Sequence, residues 1–525
     1  MTDRRQLLQW VGASTAVMVW PARAHAQTKS DTHPFALGVA SGSPTHDSIV
    51  LWTRLIFSGE SSQGRPQPPV SVRWEIAHDA KFFRIVQSGQ VEAAGALAHS
   101  VHVEVQGLAP DRWYFYRFAV ADAVSAVGRT RTFPAPDAVV TRLRLAYASC
   151  QRWEHGYFSA YRHMRDENLD LVLFLGDYIY EYPNASNAVR VPSGSWVITL
   201  DDYRQRYALH KSDADLQAMH AACPWLVTWD DHEVQNDYAG LSAGDSGPPV
   251  DDFATRRAAA YQAFYEHMPI RASALTRALS GLVQGAETRI YQRVDYGRLA
   301  SMYLLDARQY RDPQVCTRDG KKGSSILNPA TCPAWLDPAR SLLGLGQERW
   351  LAGELGRAAS RQGGWNVVGQ TSLFGQRDFF KGPGQRLWND GWDGYASART
   401  RLTDALRKNS VSNPVLLGGD VHENWVGHVK ADYDDAASPS IGVEFCGTSI
   451  TSRSAGNAKI PEYLAENPHF VFADSERKGY GVVDLTPRRL TTTLRVVSDV
   501  TQAETTIETL AQFSVQAGRP LIEKC

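Results

Sequence analysis

The sequence predicts a mixed α/β (α+β) chain in which a small antiparallel β-sandwich precedes a larger domain of buried sheets flanked by helices. Three observations carry this. Between Phe35 and Phe133, short segments alternate in polarity and are broken by turns, the pattern of strands with one face in water. After Pro134-Ala135-Pro136 the strands become apolar throughout and are separated by helical stretches, as expected of a sheet buried on both faces. Each of those apolar strands stops at a cluster of carboxylate, imidazole, thiol or phenol side chains.

At the N-terminus, Arg4-Arg5 precedes an apolar run from Trp10 to Trp20, and Ala24-His25-Ala26 supplies a small-x-small cleavage site. This is the pattern of a twin-arginine signal peptide over residues 1–26. It predicts engagement with the twin-arginine export machinery and a periplasmic or secreted location. The apolar run is too short to span a bilayer, so no stable membrane span is expected.

Residues 33–135 are assigned to the sandwich, with strands at Ser48–Thr53, Val70–Ile76 and Tyr114–Phe118, and Pro134–Pro136 is the linker. The larger domain takes residues 142–500. It opens with strand Leu143–Ala148, a helix over Tyr157–Glu167, strand Leu171–Leu175, a helix over about Asp202–Ala222 and strand Trp225–Trp229. Later strands are expected at Met302–Leu305, Asn366–Val368, Val415–Leu417 and Val443–Phe445, with a loop at Gly240–Pro249. Residues 501–525 are set apart as a C-terminal extension.

The 55 basic and 56 acidic side chains leave a net charge of −1, which argues against a nucleic-acid-binding surface. Recognition of a charged substrate must therefore be local. Of six cysteines, Cys316 and Cys332 flank a Gly/Lys/Pro-rich loop and are the expected disulfide in an oxidising compartment.

The chemistry gathers at the strand ends: Ser149-Cys150-Gln151, Gly176-Asp177-Tyr178-Ile179-Tyr180-Glu181, Asp230-Asp231-His232-Glu233, and Gly418-Gly419-Asp420-Val421-His422-Glu423-Asn424. Ligands of open α/β sheets bind beyond the carboxyl ends of the strands, so these clusters should meet at one edge. A lone Asp there is usually a turn former or helix cap; four such ends together predict a metal site. A thiolate and a phenolate beside carboxylates favour Fe(III), whereas carboxylates and amides alone suit Ca, Mg or Mn. Cys150 has the plain alternative of a small buried hydrophobe.

Read together, the clusters resemble the PhoD-type alkaline phosphatases and phosphodiesterases, a branch of the calcineurin-like metallophosphoesterases. The resemblance extends to Phe35-Ala36-Leu37-Gly38-Val39-Ala40-Ser41-Gly42, Leu51-Trp52-Thr53-Arg54, Tyr265-Glu266-His267-Met268-Pro269, Leu305 to Asp312, and Gly447-Thr448-Ser449-Ile450-Thr451-Ser452. It implies a four-layer metallophosphoesterase β-sandwich flanked by helices behind an Ig-like N-terminal domain. It also implies a small phosphate mono- or diester as substrate, with Fe(3+) and Ca(2+) as cofactors.

By the same resemblance, Cys150, Asp177 and Tyr180 hold iron, with Asp177 bridging to calcium. In ordinary members the ligand segments read Asp-x-His, Gly-Asn-His and Gly-His-x-His. Here Cys150 stands in the first, Asp231 replaces the Asn, and Asp420 replaces the first His of the last, a drift toward oxygen ligands. His422 occupies the place of a metal-binding imidazole, and the choice between Asp420 and His422 at the iron stays open. Asn236, five residues past Asp231, is a further candidate oxygen ligand, with a helix-start residue as its alternative. His232 contacts phosphate or protonates the leaving group, and Arg308 steadies the phosphate, with a salt-bridged arginine as its alternative. The reaction implied is in-line attack by a metal-activated hydroxide with no covalent phosphoenzyme.

Other readings are weighed beside this. A phosphodiesterase or phospholipase D-like activity uses the same site, and Trp196, Trp225 and Trp425 are candidates to line its pocket. A non-enzymatic extracellular binding protein is disfavoured by the presence of Asp177, His232 and His422. Gly244-Asp245-Ser246-Gly247-Pro248 is similar to a serine-protease nucleophile segment, but no His and Asp partners frame it.

Overall fold

A computed structural model describes residues 33–57, 68–276, 288–359, 363–435 and 437–525. The segment read as a signal peptide, residues 1–26, lies outside them. Contacts divide the chain into two compact units: Met1–Phe133 with Thr199–Trp225 and Ala258–Arg289, and Pro134–Ile198 with Leu226–Arg257 and Ile290–Cys525.

The first unit holds two antiparallel sheets. Strands β1 (Val39–Gly42), β2 (Ile49–Arg54) and β5 (Ser100–Val105) form one, in the order β1-β2-β5. Strands β3 (Val70–Ala77), β4 (Ile85–Ala93), β6 (Trp113–Val120) and β7 (Ala123–Val124) form the other as β4-β3-β6-β7, and β8 (Gly128–Arg131) pairs with β6. Val72, Ile76, Tyr116 and Phe118 meet Ile49, Leu51, Val101 and Val103 in a shared core. Strand β2 is buried at every residue, which a sandwich with water outside does not explain. Segments from later in the chain cover its outer face: Trp52 donates its indole N–H to the carbonyl of Glu266 at 3.1 Å, and His102 stacks on Tyr265 at 4.2 Å. This is why 199–225 and 258–289 belong with the N-terminal strands.

The single helix expected over 202–222 is two, Leu200–Lys211 and Ala214–Ala222. Asp213 causes the break. Its carboxylate accepts from the N–H groups of Asp215 and Leu216, capping the second helix and ending the first.

The second unit contains two large sheets. The first runs β24 (Arg519–Lys524), β23 (Ile507–Gln516), β22 (Arg489–Val497), β21 (Gly479–Leu485), β9 (Leu143–Ala148), β10 (Leu171–Leu175), β11 (Trp225–Thr228). Here β9 and β10 are parallel, while β21, β22, β23 and β24 are joined by antiparallel pairing. Residues 501–525, set apart in the sequence, thus supply two strands of this sheet. The second sheet runs β12 (Gln292–Tyr296), β13 (Ala300–Leu304), β15 (Trp365–Gly369), β17 (Pro414–Gly418), β19 (Ser440–Cys446), β18 (Asn424–Lys430), β20 (Phe470–Asp474), with β13, β15, β17 and β19 parallel. A small hairpin pairs β14 (Ile326–Leu327) with β16 (Leu387–Trp388).

The two large sheets meet through their apolar faces. Phe513 of β23 packs on Phe445 of β19 and Phe472 of β20, with ring centroids 6.4 and 5.5 Å away. Helices Gly344–Ala359 and Ala396–Lys408 bury Leu351, Leu355, Leu402 and Leu406 with Val368 and Leu416 of the second sheet. Among the described residues no helix is long and apolar enough to cross a membrane.

A disulfide joins Cys316 and Cys332, with Cα atoms 6.0 Å apart. Closing a loop of this length contributes about 3 kcal/mol in the chain-entropy model. The double replacement Cys316→Ser/Cys332→Ser should therefore lower stability by roughly that amount, read as a fall in the denaturant midpoint at unchanged slope. An unchanged midpoint would mean that the native contacts of the loop, rather than the bridge, hold it closed.

Candidate metal centre

The parallel strands of both large sheets deliver their ends to one edge. Cys150 follows β9, Asp177 follows β10, Asp230 to Glu233 follow β11, Arg308 follows β13, and Asp420 and His422 follow β17. The backbone there is unusual. Cys150 (φ 59°), Asp177 (φ 57°), Asp420 (φ 64°) and His422 (φ 59°) all adopt the left-handed conformation, which is costly for residues with a Cβ and persists only where the surroundings enforce it. One enforcing group is Glu233, whose buried carboxylate accepts from the N–H groups of Asp177 (3.1 Å), Tyr178 (2.6 Å) and Asp230 (2.8 Å). It ties the ends of β10 and β11 together. Gly176, at φ 98°, permits the same approach: a Cβ there would lie 2.6 Å from that of Asp230.

Three groups of potential ligands overlap on one residue. Cys150, Asp177 and His422 form the first, Asp177, Asp231 and His232 the second, and Asp177, Asp230 and Asp420 the third; within each, the ligand atoms lie within 4.8 Å of one another. Tyr180 joins the first group. Its hydroxyl donates to Asp177 Oδ2 at 3.0 Å and lies 3.2 Å from His422 Nε2 and 2.6 Å from Ser452 Oγ. His422 Nδ1 sits 2.8 Å from the carbonyl of Arg453, which turns Nε2 toward the cluster. The sequence left Asp420 and His422 as equal candidates beside Cys150. Distance separates them, since His422 groups with Cys150 and Asp420 with Asp230.

His232 is held by a buried partner absent from the sequence-based site: Nδ1 lies 2.7 Å from Glu181 Oε2, and Glu181 Oε1 accepts from the N–H of Asn236 at 2.7 Å. Asn236 thus enters the site through its backbone. Asp231 accepts from the N–H groups of His232 and Asp237, at 3.1 and 2.7 Å. Arg308 is buried and committed. It donates to Asp230 through Nε, lies 2.9 Å from Asp390 Oδ2 through Nη2, and approaches Asp231 at 3.5 Å. Asp390, with no strand end to flag it, is the carboxylate that the sequence reading missed most completely.

The proton affinities report crowded negative charge. Burial raises the carboxyl of Asp177 to about 7, with Asp231 and Asp230 adding to the shift and His232 opposing it. Asp420 is pushed well up by burial and by Asp230 and Asp231. Burial lifts the Cys150 thiol and the Tyr180 phenol, each further raised by Asp177. Burial lowers His422 to about 3, so its imidazole is neutral and able to ligate. Burial opposes charge on His232 too, but Glu181, Asp177 and Asp231 outweigh it and raise the imidazole well above its usual value. Two buried carboxylate oxygens, Asp177 Oδ1 and Asp230 Oδ2, have no hydrogen-bond partner. Orphaned acceptors of this kind call for a ligand. The donor set of thiol, phenol, imidazole and carboxylates fits bound cations, whose charge would reverse every one of these upward shifts.

Of the three tryptophans considered for a pocket, Trp225 and Trp425 are fully buried in the core. Only Trp196 is partly exposed, stacked at 5.1 Å on Tyr182, which lies 5.7 Å from the His232 ring. Among the described residues no histidine hydrogen-bonds the Ser246 hydroxyl, so no protease-like arrangement forms.

Fold and site together define a mixed α/β protein with a buried, carboxylate-rich cluster that could hold metal ions. Comparison with known proteins makes this specific. The model of the PhoD-like phosphatase family matches residues 145–494, and that of the PhoD-like phosphatase N-terminal domain matches residues 21–134. Alkaline phosphatase D of Bacillus subtilis (strain 168) is 42% identical over 538 residues, spanning 99% of this chain and 89% of that protein. A solved structure described as that of PhoD superposes with a TM-score of 0.87 at 42% identity, covering 95% of this chain and 93% of its own. The chain belongs to the PhoD-like phosphatase family.

Proposed function

We propose that this chain is an exported, metal-dependent phosphoesterase of the alkaline phosphatase D type, with iron held by Cys150, Asp177, Tyr180 and His422 and calcium on the Asp177, Asp231 and Asn236 side. The observation that carries the reading is the sharing of Asp177 among three ligand groups, as expected of a carboxylate that bridges cations. When bound, such cations supply an activated water and neutralise the phosphoryl oxygens. The chain's own residues do the rest. Asp420 and Asp230 add negative charge that retains the cations, with Arg308 as the counter-ion that keeps their repulsion tolerable. His232, oriented through Nδ1 by Glu181, holds a proton at Nε2 for the departing alkoxide. Export is supported by the Arg4-Arg5 segment and by a disulfide suited to an oxidising compartment. The same reading takes the second unit as the four-layer metallophosphoesterase arrangement and the first as its Ig-like companion.

A diesterase reading is favoured by one feature, the Tyr182–Trp196 stack beside His232, an aromatic wall for a bulky leaving group. Metal analysis of the full chain, joined to parallel assays on a monoester and a diester, tests both readings. Iron and calcium should co-purify with activity, and Tyr180→Phe should abolish a visible phenolate-to-iron absorption. An active enzyme that is colourless and iron-free would overturn the assignment. Faster turnover of the diester, lost in Trp196→Ala, would settle the substrate class.

A further inference from the structure

The loop closed by Cys316 and Cys332 is fastened to the acidic side of the candidate centre. Ser324 donates both its N–H (3.0 Å) and its hydroxyl (2.6 Å) to Asp237 Oδ2. Asp237 in turn donates its N–H to Asp231 Oδ2 at 2.7 Å. One residue on, Ser325 and Asn389 exchange hydrogen bonds, which fixes the chain beside Asp390. Just before the bridge, Gln314 donates to the carbonyl of Asp237 at 2.9 Å and to the carboxylate of Asp390. Asp231, Asp237 and Asp390 themselves form a fourth group of ligand atoms within 4.8 Å of one another. The anchors at Gln314, Ser324 and Ser325 fall on this side, whereas Cys150, Tyr180 and His422 are held by Ser452 and Arg453 instead. Cys332 is buried and Cys316 is exposed, so a thiol or dithiol in solution can reach the bridge.

We propose that the Cys316–Cys332 disulfide is a redox control on the divalent-cation side of the site: closed, it holds the loop that fixes Asp237 and Asp390 around Asp231; open, it releases them and weakens cation binding there. This rests on reading the cluster as a cation site. Reduction is balanced simply. A dithiol gives two electrons and two protons, the S–S bond becomes two thiols, and the dithiol closes to its own cyclic disulfide. Before the bridge forms, the backbone contacts at Ser324 and Ser325 must order a free loop of fifteen residues between the cysteines, paying its closure entropy whenever a cation binds. Once it forms, that cost is removed in advance. The control is selective, because the cysteine–tyrosine–histidine side does not depend on this loop.

The test uses the full chain, with calcium as the probe. Direct calcium binding is measured by calorimetry or equilibrium dialysis on the oxidised protein, the dithiol-reduced protein and the Cys316→Ser/Cys332→Ser variant. Iron content and melting temperature are followed in parallel. Reduction and the double replacement should each weaken calcium binding about tenfold or more with iron retained, and reoxidation should restore binding in the natural sequence alone. Ser324→Ala keeps the bridge but loses one anchor on Asp237, and should weaken calcium binding in the same direction with the melting temperature unchanged. Equal calcium affinity in oxidised and reduced protein overturns the control. A protein that binds no calcium in either state overturns instead the reading of the cluster on which the control rests.

Discussion

Replacing Asp177 by Ala should strip both classes of cation from the protein and lower phosphoester turnover by at least about 10³-fold, the scale of a lost electrostatic stabiliser in a catalytic site. The expectation follows from position. Asp177 is common to the group with Cys150 and His422, the group with Asp231 and His232, and the group with Asp230 and Asp420. No other side chain belongs to all three. Its Oδ2 accepts from Tyr180, while its Oδ1 is buried and unpartnered, so one oxygen is left free of protein donors. Metal content by emission spectrometry and phosphate release are the measurements. If the variant keeps its iron and its activity stays within tenfold of the parent, Asp177 is not the bridge. A control limits the alternative that the fold has failed: Asp177→Asn keeps the shape and one oxygen, should remain folded, and should still lose cations because the negative charge is gone.

The second large effect is expected at Arg308, and in stability rather than turnover. Arg308→Met removes a buried guanidinium from among Asp230, Asp231 and Asp390. Breaking a buried ion pair from one side typically costs about 3–5 kcal/mol, because the abandoned charge stays buried. Part of the loss is moderated by Arg311, which lies 3.3 Å from Asp390. Burial would raise the Asp390 carboxyl, but Arg308 and Arg311 together hold it down at about 2. Its contribution to stability is therefore present at neutral pH and lost as pH falls through its usual carboxylate range toward 2; without Arg308 the loss should begin at higher pH. Thermal unfolding between pH 4 and 8, with and without calcium, reads this out. Added calcium should recover part of the loss by supplying positive charge to the same carboxylates. An unchanged melting temperature with a raised KM would instead return Arg308 to the role of a substrate clamp.

What the sequence disclosed depended on how local each signal was. Leu171–Leu175 is apolar at every residue and ends in Gly-Asp, so its strand, its burial and its place beside the site could all be read from one short window. Val415–Leu417, apolar throughout and followed by Gly-Gly-Asp, reads the same way, and Leu143–Ala148 does so despite Arg144, ending at Ser149-Cys150. The outer strands of the first large sheet resisted reading, because Arg489–Val497 and Ile507–Gln516 mix threonine, glutamate and glutamine into the exposed face and gain their meaning only from each other. Residues 501–525 therefore looked like an appendage. In the site, Cys150, Asp177 and Asp231 were visible at strand ends, and the partners that govern them were not. Glu181 stood within a quoted cluster, yet nothing local says that its carboxylate reaches His232. Asp390 lies between Asn389 and Gly391, far from any long strand, and its encounter with Arg308 spans 82 residues of chain. Without that partner in view, the sequence leaves Arg308 open between a phosphate contact and a salt bridge.

The left-handed backbone at Cys150, Asp177, Asp420 and His422 restricts how this centre can be re-engineered or can diverge. On the proposed reading each of these positions must satisfy a turn as well as a cation, so the alphabet available to it is short. Asparagine, aspartate and histidine tolerate that conformation and also carry donor atoms; valine, isoleucine and threonine do not tolerate it. A library meant to retune metal preference should therefore exchange oxygen for nitrogen within that small set, and variants carrying β-branched residues should drop out at the folding stage, before their chemistry can be sampled.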